Sequence, residues 1–141
     1  ISAAKRLFLY KKIKRVAIIN LGIIMPNIID KIGISKATNL AAQLCIPKNL
    51  RVRKNLLDGN IKINSNNSVE NIIKGDENYV SIAAASIIAK VTRDKIMISK
   101  NKVNNKYKWD RNKGYGTKDH LLAIKNYGIT NFHRKSFNLH I

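Results

Sequence analysis

The run S-I-A-A-A-S-I-I-A-K-V-T-R-D, residues 81–94, constrains the fold more than any other stretch. It lies within an apolar segment, residues 80–102, that reads as one long helix. Ala83, Ala84, Ala85 and Ser86 give that helix a surface that a neighbouring backbone can approach closely. A helix packed tightly beneath a sheet needs such a surface, so this segment is expected to be core scaffold. Just ahead of it, K-G-D-E-N places Asp76 and Glu77, two of only 8 acidic residues in a chain of net charge +19. Carboxylates at the mouth of the most buried helix of so basic a protein call for a reason.

The rest of the chain alternates helices with short strands. Residues 3–14 carry Leu7, Tyr10 and Ile13, with Phe8 and Leu9, on one side at helical spacing. Residues 15–21, R-V-A-I-I-N-L, are β-rich and read as a strand. Residues 27–45 read as a helix capped by Asn27, with Gly33 a candidate break and Pro47 beyond its end. Residues 54–57 are a strand ahead of the turn Asp58-Gly59-Asn60, and residues 69–74 a second strand ending at Gly75-Asp76. Residues 104–118 read as a loop, residues 118–127 as a helix stopped by Gly128, and residues 133–141 as a basic tail. This pattern is α/β, in one domain over residues 1–141.

With 141 residues, 45% of them hydrophobic, the chain supports a single core and is not a disordered tail. No apolar run reaches the roughly 18 residues of a membrane-spanning helix. The opening stretch reads as an amphipathic helix and not a signal peptide. The single cysteine, Cys45, fits a reducing, cytoplasmic setting, and a monomer is expected. Part of the lysine excess follows from the Lys, Asn and Ile bias of an A/T-rich genome. Even so, 27 basic residues create a field that attracts polyanions. The expected partner is nucleic acid, not membrane, because no segment joins a basic face to large aromatic anchors.

Asp58 and Asp76 each follow a strand. If those strands are neighbours, both carboxylates project from one sheet edge, where hard oxygen donors suit Mg²⁺ or Mn²⁺. A small acidic metal centre on a basic surface is the layout of a nuclease. The competing reading, an Asx-turn at Asp58 and a cap at Asp76, is favoured by spacing alone. Asp94 lies about five turns along the helix from Asp76, too far to share a metal, and is expected to pair with Lys90 or Arg93. Ser81 and Ser86 can reach a phosphate, but capping and back-bonding are the more economical uses. Lys113-Gly114-Tyr115-Gly116-Thr117 reads either as a flexible basic loop presenting Tyr115 for stacking or as a Gly-rich turn with an anchoring tyrosine. His120, His133 and His140 lack metal spacing, and His120 is expected to be structural. H-R-K-S-F, residues 133–137, reads as a phosphate clamp or a solvated end, and Cys45 as a buried small hydrophobe.

Taken in order, L-L-D-G-N, I-I-K-G-D, S-I-A-A-A-S-I-I-A-K-V-T-R-D, K-G-Y-G-T with His120 after it, and H-R-K-S-F resemble the ribonuclease HII family. A-T-N-L-A-A-Q resembles its middle helix, and the resemblance runs from the first helix to the end. It implies an RNase H-like α/β fold, a mixed sheet flanked by helices. It implies an endoribonuclease that cleaves the RNA strand of RNA–DNA hybrids, and cuts 5′ of ribonucleotides embedded in duplex DNA, by metal-assisted hydrolysis. Four carboxylates and Mg²⁺ or Mn²⁺ serve that chemistry. By resemblance, Asp58 and Asp76 are two of the four, catalytic and metal-binding. Tyr115 packs on the sugar at the RNA–DNA junction, and Lys113 and Arg134 join it in binding substrate.

Two family features have no counterpart. The first strand of the family carries an adjacent Asp-Glu pair followed by a Gly-Arg-Gly loop that reads the ribose 2′-hydroxyl. No Gly-Arg-Gly occurs here, and the one adjacent Asp-Glu, Asp76-Glu77, belongs to K-G-D-E-N. The family's Asp-Ser-Lys-Lys segment is absent as well. With Ile1 in place of Met, the expectation is a fragment without the first strands of the sheet, inactive on its own. The alternative is a non-catalytic basic RNA- or DNA-binding protein, such as a ribosome-associated one, which has no need of acids beside its phosphates.

Overall fold

The computed structural model describes residues 1–47 and 52–137. Helix α1 (Ala3–Val16) is capped by Ser2, whose hydroxyl accepts the Lys5 amide. Helix α2 (Pro26–Ile32) has Met25 at its cap position, not Asn27. Pro26 explains the difference: its fixed φ and missing N–H suit the first helical position and set the cap two residues nearer the N-terminus. Gly33, at φ +81°, separates α2 from α3 (Ile34–Cys45) as the sequence suggests. The strand expected over residues 15–21 does not form. α1 runs on through Val16, and residues 17–25 pair with no strand among the described residues. β-branched composition gives a strand only where a neighbouring edge offers a ladder.

Strands β1 (Lys54–Asp58) and β2 (Ser68–Ile72) pair in parallel, in register from Lys54 beside Ser68 to Asp58 beside Ile72. Parallel neighbours ordinarily need a crossover of about a dozen or more residues, usually helical. Here residues 59–67 make the return without a helix, and α3 holds it in place. Asn39 Oδ1 accepts the Lys62 amide at 3.0 Å. The Gln43 amide group bonds both the N–H and the carbonyl of Asn64, at 2.7 and 3.0 Å. Asn39 and Gln43 stand four residues apart on one helical face, so A-T-N-L-A-A-Q is the part of α3 that secures the crossover.

After β2 the chain turns through Lys74, in the left-handed region at φ 54°, into α4 (Gly75–Asn78) and then α5 (Val80–Val103). A Cβ on Gly75 would lie 2.5 Å from Ile82 Cδ1, and both residues are buried. The glycine of K-G-D thus lets this turn pack directly on Ile82 of the scaffold helix, and a larger residue would oblige that side chain to move. α5 buries Ile82, Ile88 and Val91 and packs on α1, α4 and β1.

Residues 104–118 are more ordered than a loop. They contain a 3₁₀ turn (Asn105–Tyr107) and α6 (Trp109–Asn112). Tyr107 and Trp109 are the two large side chains buried most completely, stacked with centroids 5.0 Å apart. Burial of these rings against α5 and α7 (Lys118–Tyr127) supplies the order that the local Lys- and Asn-rich sequence does not encode. Residues 133–137 are tied to the rest of the molecule although 134–137 are exposed: His133 is buried and Asp30 of α2 accepts hydrogen bonds from Lys135 and Ser136. Residues 138–141 of the expected tail, with His140, lie outside the described residues. Cys45 is half-buried and polar in its contacts: its Sγ accepts the Gly22 amide at 3.1 Å and donates to the Ala41 carbonyl.

Candidate metal and nucleic-acid site

Parallel pairing places the ends of β1 and β2 side by side, and Gly59 extends the ladder by donating to the Ile72 carbonyl at 2.8 Å. Asp58 closes β1 and is exposed. Its Oδ1 accepts the Gly75 amide at 2.9 Å, so its carboxylate is tied to the turn that carries the next residue, Asp76. Asp76 stands exposed in the first turn of α4, with Lys90 Nζ of α5 4.0 Å from its Oδ2. Both residues therefore lie at the same end of the paired strands, which satisfies the condition that the strands be neighbours. A cleft of about 620 Å³ opens beside Asp58 between β1, α3 and α5, and Ser81 and Ser86 line it.

The second cluster surrounds Tyr115, whose side is 59% exposed. Its loop is closely hydrogen-bonded. The Tyr115 amide donates to the Asn112 carbonyl at 2.9 Å, and the Gly114 amide to Asn112 Oδ1 at 2.8 Å. The Tyr115 carbonyl accepts from the Thr117 amide at 2.8 Å and faces His120 Nδ1 at 2.9 Å. Arg93 of α5 donates to the Tyr115 hydroxyl at 2.5 Å, with its guanidinium carbon 4.5 Å from the ring centroid. Burial works against the Arg93 charge, but the Tyr115 hydroxyl and the Asp94 carboxylate hold it above its ordinary value. Asp94 pairs with Arg93 at 2.7 Å and approaches Arg6 of α1 at 4.0 Å. Of its two expected partners, Lys90 is taken by Asp76 instead.

Lys113 sits in the left-handed region at φ 52°, and its ammonium donates to the Asp110 carbonyl. Arg134 is exposed, its guanidinium 3.7 Å over the Phe137 ring. Asp30 fixes this end of the chain. Its Oδ1 accepts the Ser136 hydroxyl at 2.6 Å and the Ser136 amide at 2.9 Å, and its Oδ2 accepts the Lys135 amide. These bonds hold the Asp30 carboxyl below the usual carboxylate range.

Lys90 and Arg93, which reach Asp76 and Tyr115 respectively, are three residues apart on α5. Side chains at that spacing share a helical face, with Cβ atoms about 5–6 Å apart. One face of the scaffold helix therefore serves both clusters, and sequence reasoning missed both residues in this role. The A-K-V-T-R run held the signal, since both cations fall at helical spacing. Asp30 carried none, because its partners lie 105 and 106 residues away.

Comparison with known proteins matches a family described as Ribonuclease HII over residues 1–140. This chain belongs to the ribonuclease HII family. A protein named Ribonuclease HII from Pelagibacter ubique (strain HTCC1062) is 47% identical over 137 residues, spanning 95% of this chain and 73% of the relative. One from Rickettsia akari (strain Hartford) is 43% identical over 139 residues, 97% of this chain and 71% of the relative. One from Enterococcus faecalis (strain ATCC 700802 / V583) is 42% identical over 138 residues, 97% of this chain and 54% of the relative. Members of the ribonuclease HII family are divalent-metal-dependent RNase H-type endoribonucleases. The helices and small parallel sheet fit the family's RNase H-like α/β fold.

The donor set can be tested against that metal dependence. Among the described residues, no group of three or more His, Cys, Asp or Glu side chains is placed to hold a metal ion. Mg²⁺, however, is commonly held by one or two carboxylates together with substrate phosphates and water. Asp58 and Asp76, both exposed and both hard oxygen donors, fit that mode. No described helix is long and apolar enough to cross a membrane.

Proposed function

We propose that the chain is a single ribonuclease HII domain acting on RNA–DNA hybrids and on duplex DNA with embedded ribonucleotides. In this reading Asp58 and Asp76 hold Mg²⁺ or Mn²⁺ at the scissile phosphate. When bound, the cation would polarise that phosphate and make a water nucleophilic. Tyr115 packs on the sugar at the RNA–DNA junction, and Arg134 and the wider lysine-rich surface hold the backbone. Lys113, whose ammonium is engaged by Asp110, steadies the Tyr115 loop as much as it meets substrate. The supporting observation is the shared face of α5, from which Lys90 reaches Asp76 and Arg93 reaches Tyr115.

The family resemblance implies four carboxylates, and these residues supply two. Two acids neutralise a pair of cations poorly, so turnover by residues 1–141 alone is expected to be low. The non-catalytic alternative is a basic binder with no use for the acids, and it is supported by the lack of a three-ligand cluster among the described residues. One experiment separates the readings. Asp58→Asn and Asp76→Asn are assayed on a duplex with one embedded ribonucleotide, in the chain joined to a relative's leading segment that carries Asp-Glu and Gly-Arg-Gly. Each variant should lose about 10²-fold or more in cleavage, by analogy with removal of a group that stabilises the transition state, with binding largely kept. Near-normal cutting by either variant makes that residue only a turn former. We also place the domain in the cytoplasm as a monomer, on the strength of its one cysteine and its charged surface.

A further inference from the structure

Beneath the Tyr115 loop lie three buried polar side chains, Asn112, His120 and His133. The two imidazoles are tilted against each other with centroids 5.3 Å apart, their Nε2 atoms 3.2 Å apart. Their proton positions follow from two neighbours that can only donate, the Thr130 amide and the Trp109 indole. The Thr130 hydroxyl, also 2.9 Å from His133 Nδ1, can turn its own proton toward that nitrogen. His133 Nδ1 lies 2.9 Å from the Thr130 amide nitrogen, so it accepts, and the ring proton is on Nε2. That proton points at His120 Nε2, which must accept. The Trp109 indole N–H, 3.3 Å away, also donates to His120 Nε2. The His120 proton is left on Nδ1, where it is donated to the Tyr115 carbonyl at 2.9 Å. This chain of bonds has one consistent direction, running from Thr130 through His133 and His120 to Tyr115.

We propose that His120 is the positioning residue of Tyr115, with His133 and Trp109 locking the tautomer in which its Nδ1–H grips the Tyr115 carbonyl. The inference deepens the reading of Tyr115 as the residue that meets the sugar, and it rests on that reading. Gly114 and Gly116 leave the loop without flanking side chains of its own. The ring is held at its tip by Arg93 and at its root by His120. A proton added to either imidazole turns an acceptor into a donor that faces a donor, so the grip needs both rings neutral. Among the described residues, no carboxylate is in contact with the pair to favour the charged form. Tyr107 packs edge-on against both rings, Trp109 and Phe132 enclose them, and Arg134 lines the adjoining cavity. Lys100 lies over Phe132, and Asp119, next to His120, is exposed and paired with Lys108. Burial, and then the repulsion that two charged rings would feel, push the His133 imidazole below its ordinary value.

The tautomers can be read directly from long-range ¹H–¹⁵N spectra of the histidine side chains at neutral pH. The expected result is His120 protonated on Nδ1 and His133 on Nε2. The opposite tautomer at either ring, or a charged His120, overturns the proposal whatever Tyr115 does. Function is read as the ratio of dissociation constants for an all-DNA duplex and the same duplex with one ribonucleotide. His120→Asn sets a side-chain N–H near the old Nδ1, whereas His120→Gln sets its amide near the old Nε2. The Gln variant should lose about ten-fold in the ratio, and the Asn variant should rescue most of that loss. In a Tyr115→Ala background His120→Gln should add nothing further. Equal losses in the Asn and Gln variants, with Tyr115→Ala still reducing the ratio, overturn the positioning role. A ratio untouched by Tyr115→Ala overturns the sugar-stacking reading instead, a failure distinct from a wrong tautomer.

Discussion

In the proposed reading Tyr115 meets substrate with its ring, and the residue is largely exposed yet held at three points: Arg93 at the hydroxyl, Asn112 at the amide and His120 at the carbonyl. Tyr115→Phe removes the Arg93 hydrogen bond but keeps the ring, so it should retain most of the affinity for a junction. Tyr115→Ala should lose about ten-fold to a hundred-fold, from a stacking contribution of roughly 1–3 kcal/mol. The loss should be larger on a single embedded ribonucleotide than on a long hybrid, which offers many registers. Equal losses on both substrates would remove the stacking role. At this scale the sequence was partly legible. Asp58, Asp76 and Tyr115 stood out because each sits in a short motif beside a turn. Asp30 did not, because its partners Lys135 and Ser136 are distant in sequence, and a tertiary hydrogen bond leaves no local mark.

The elements show the same division. Helices with clear apolar spacing, residues 3–14 and 80–102, were legible, as was the break at Gly33. The strand expected over residues 15–21 was not, because pairing depends on an edge elsewhere. The order of residues 104–118 was hidden for a related reason: it comes from burying Tyr107 and Trp109, not from local propensity. The joining of α2 to the chain's far end is a further property of this kind, and it carries a pH signature. The Ser136 hydroxyl, then the Ser136 and Lys135 amides, lower the folded pKa of Asp30. The unfolded state therefore binds the proton more readily, and the stabilisation is present above the ordinary carboxylate pKa of 3.8. It is lost as the pH falls through the lower, folded value. Protection of the Lys135 and Ser136 amides, measured relative to intrinsic exchange at each pH, should be high at neutral pH and fall in acid. Asp30→Asn should show low protection at every pH, and unchanged protection in that variant would mean that residues 133–137 are held by something else.

Across the whole molecule, a net charge of +19 coexists with a small acidic centre at one end of the sheet. The positive surface supplies long-range attraction for a polyanion. In the proposed reading the acids hold a cation against that polyanion, which would account for Asp76 standing just ahead of α5. Lys90 beside Asp76 occupies the ground on which such a cation would compete. The central claim, that Asp58 and Asp76 form one metal site, can be tested without turnover. Mn²⁺ titrated into the ¹⁵N-labelled protein should broaden the amide resonances of Gly59, Gly75 and Glu77 before any others. Asp58→Asn and Asp76→Asn should each move that broadening to distinctly higher Mn²⁺. Broadening that begins elsewhere, or that is the same in both variants as in the parent, would contradict the account.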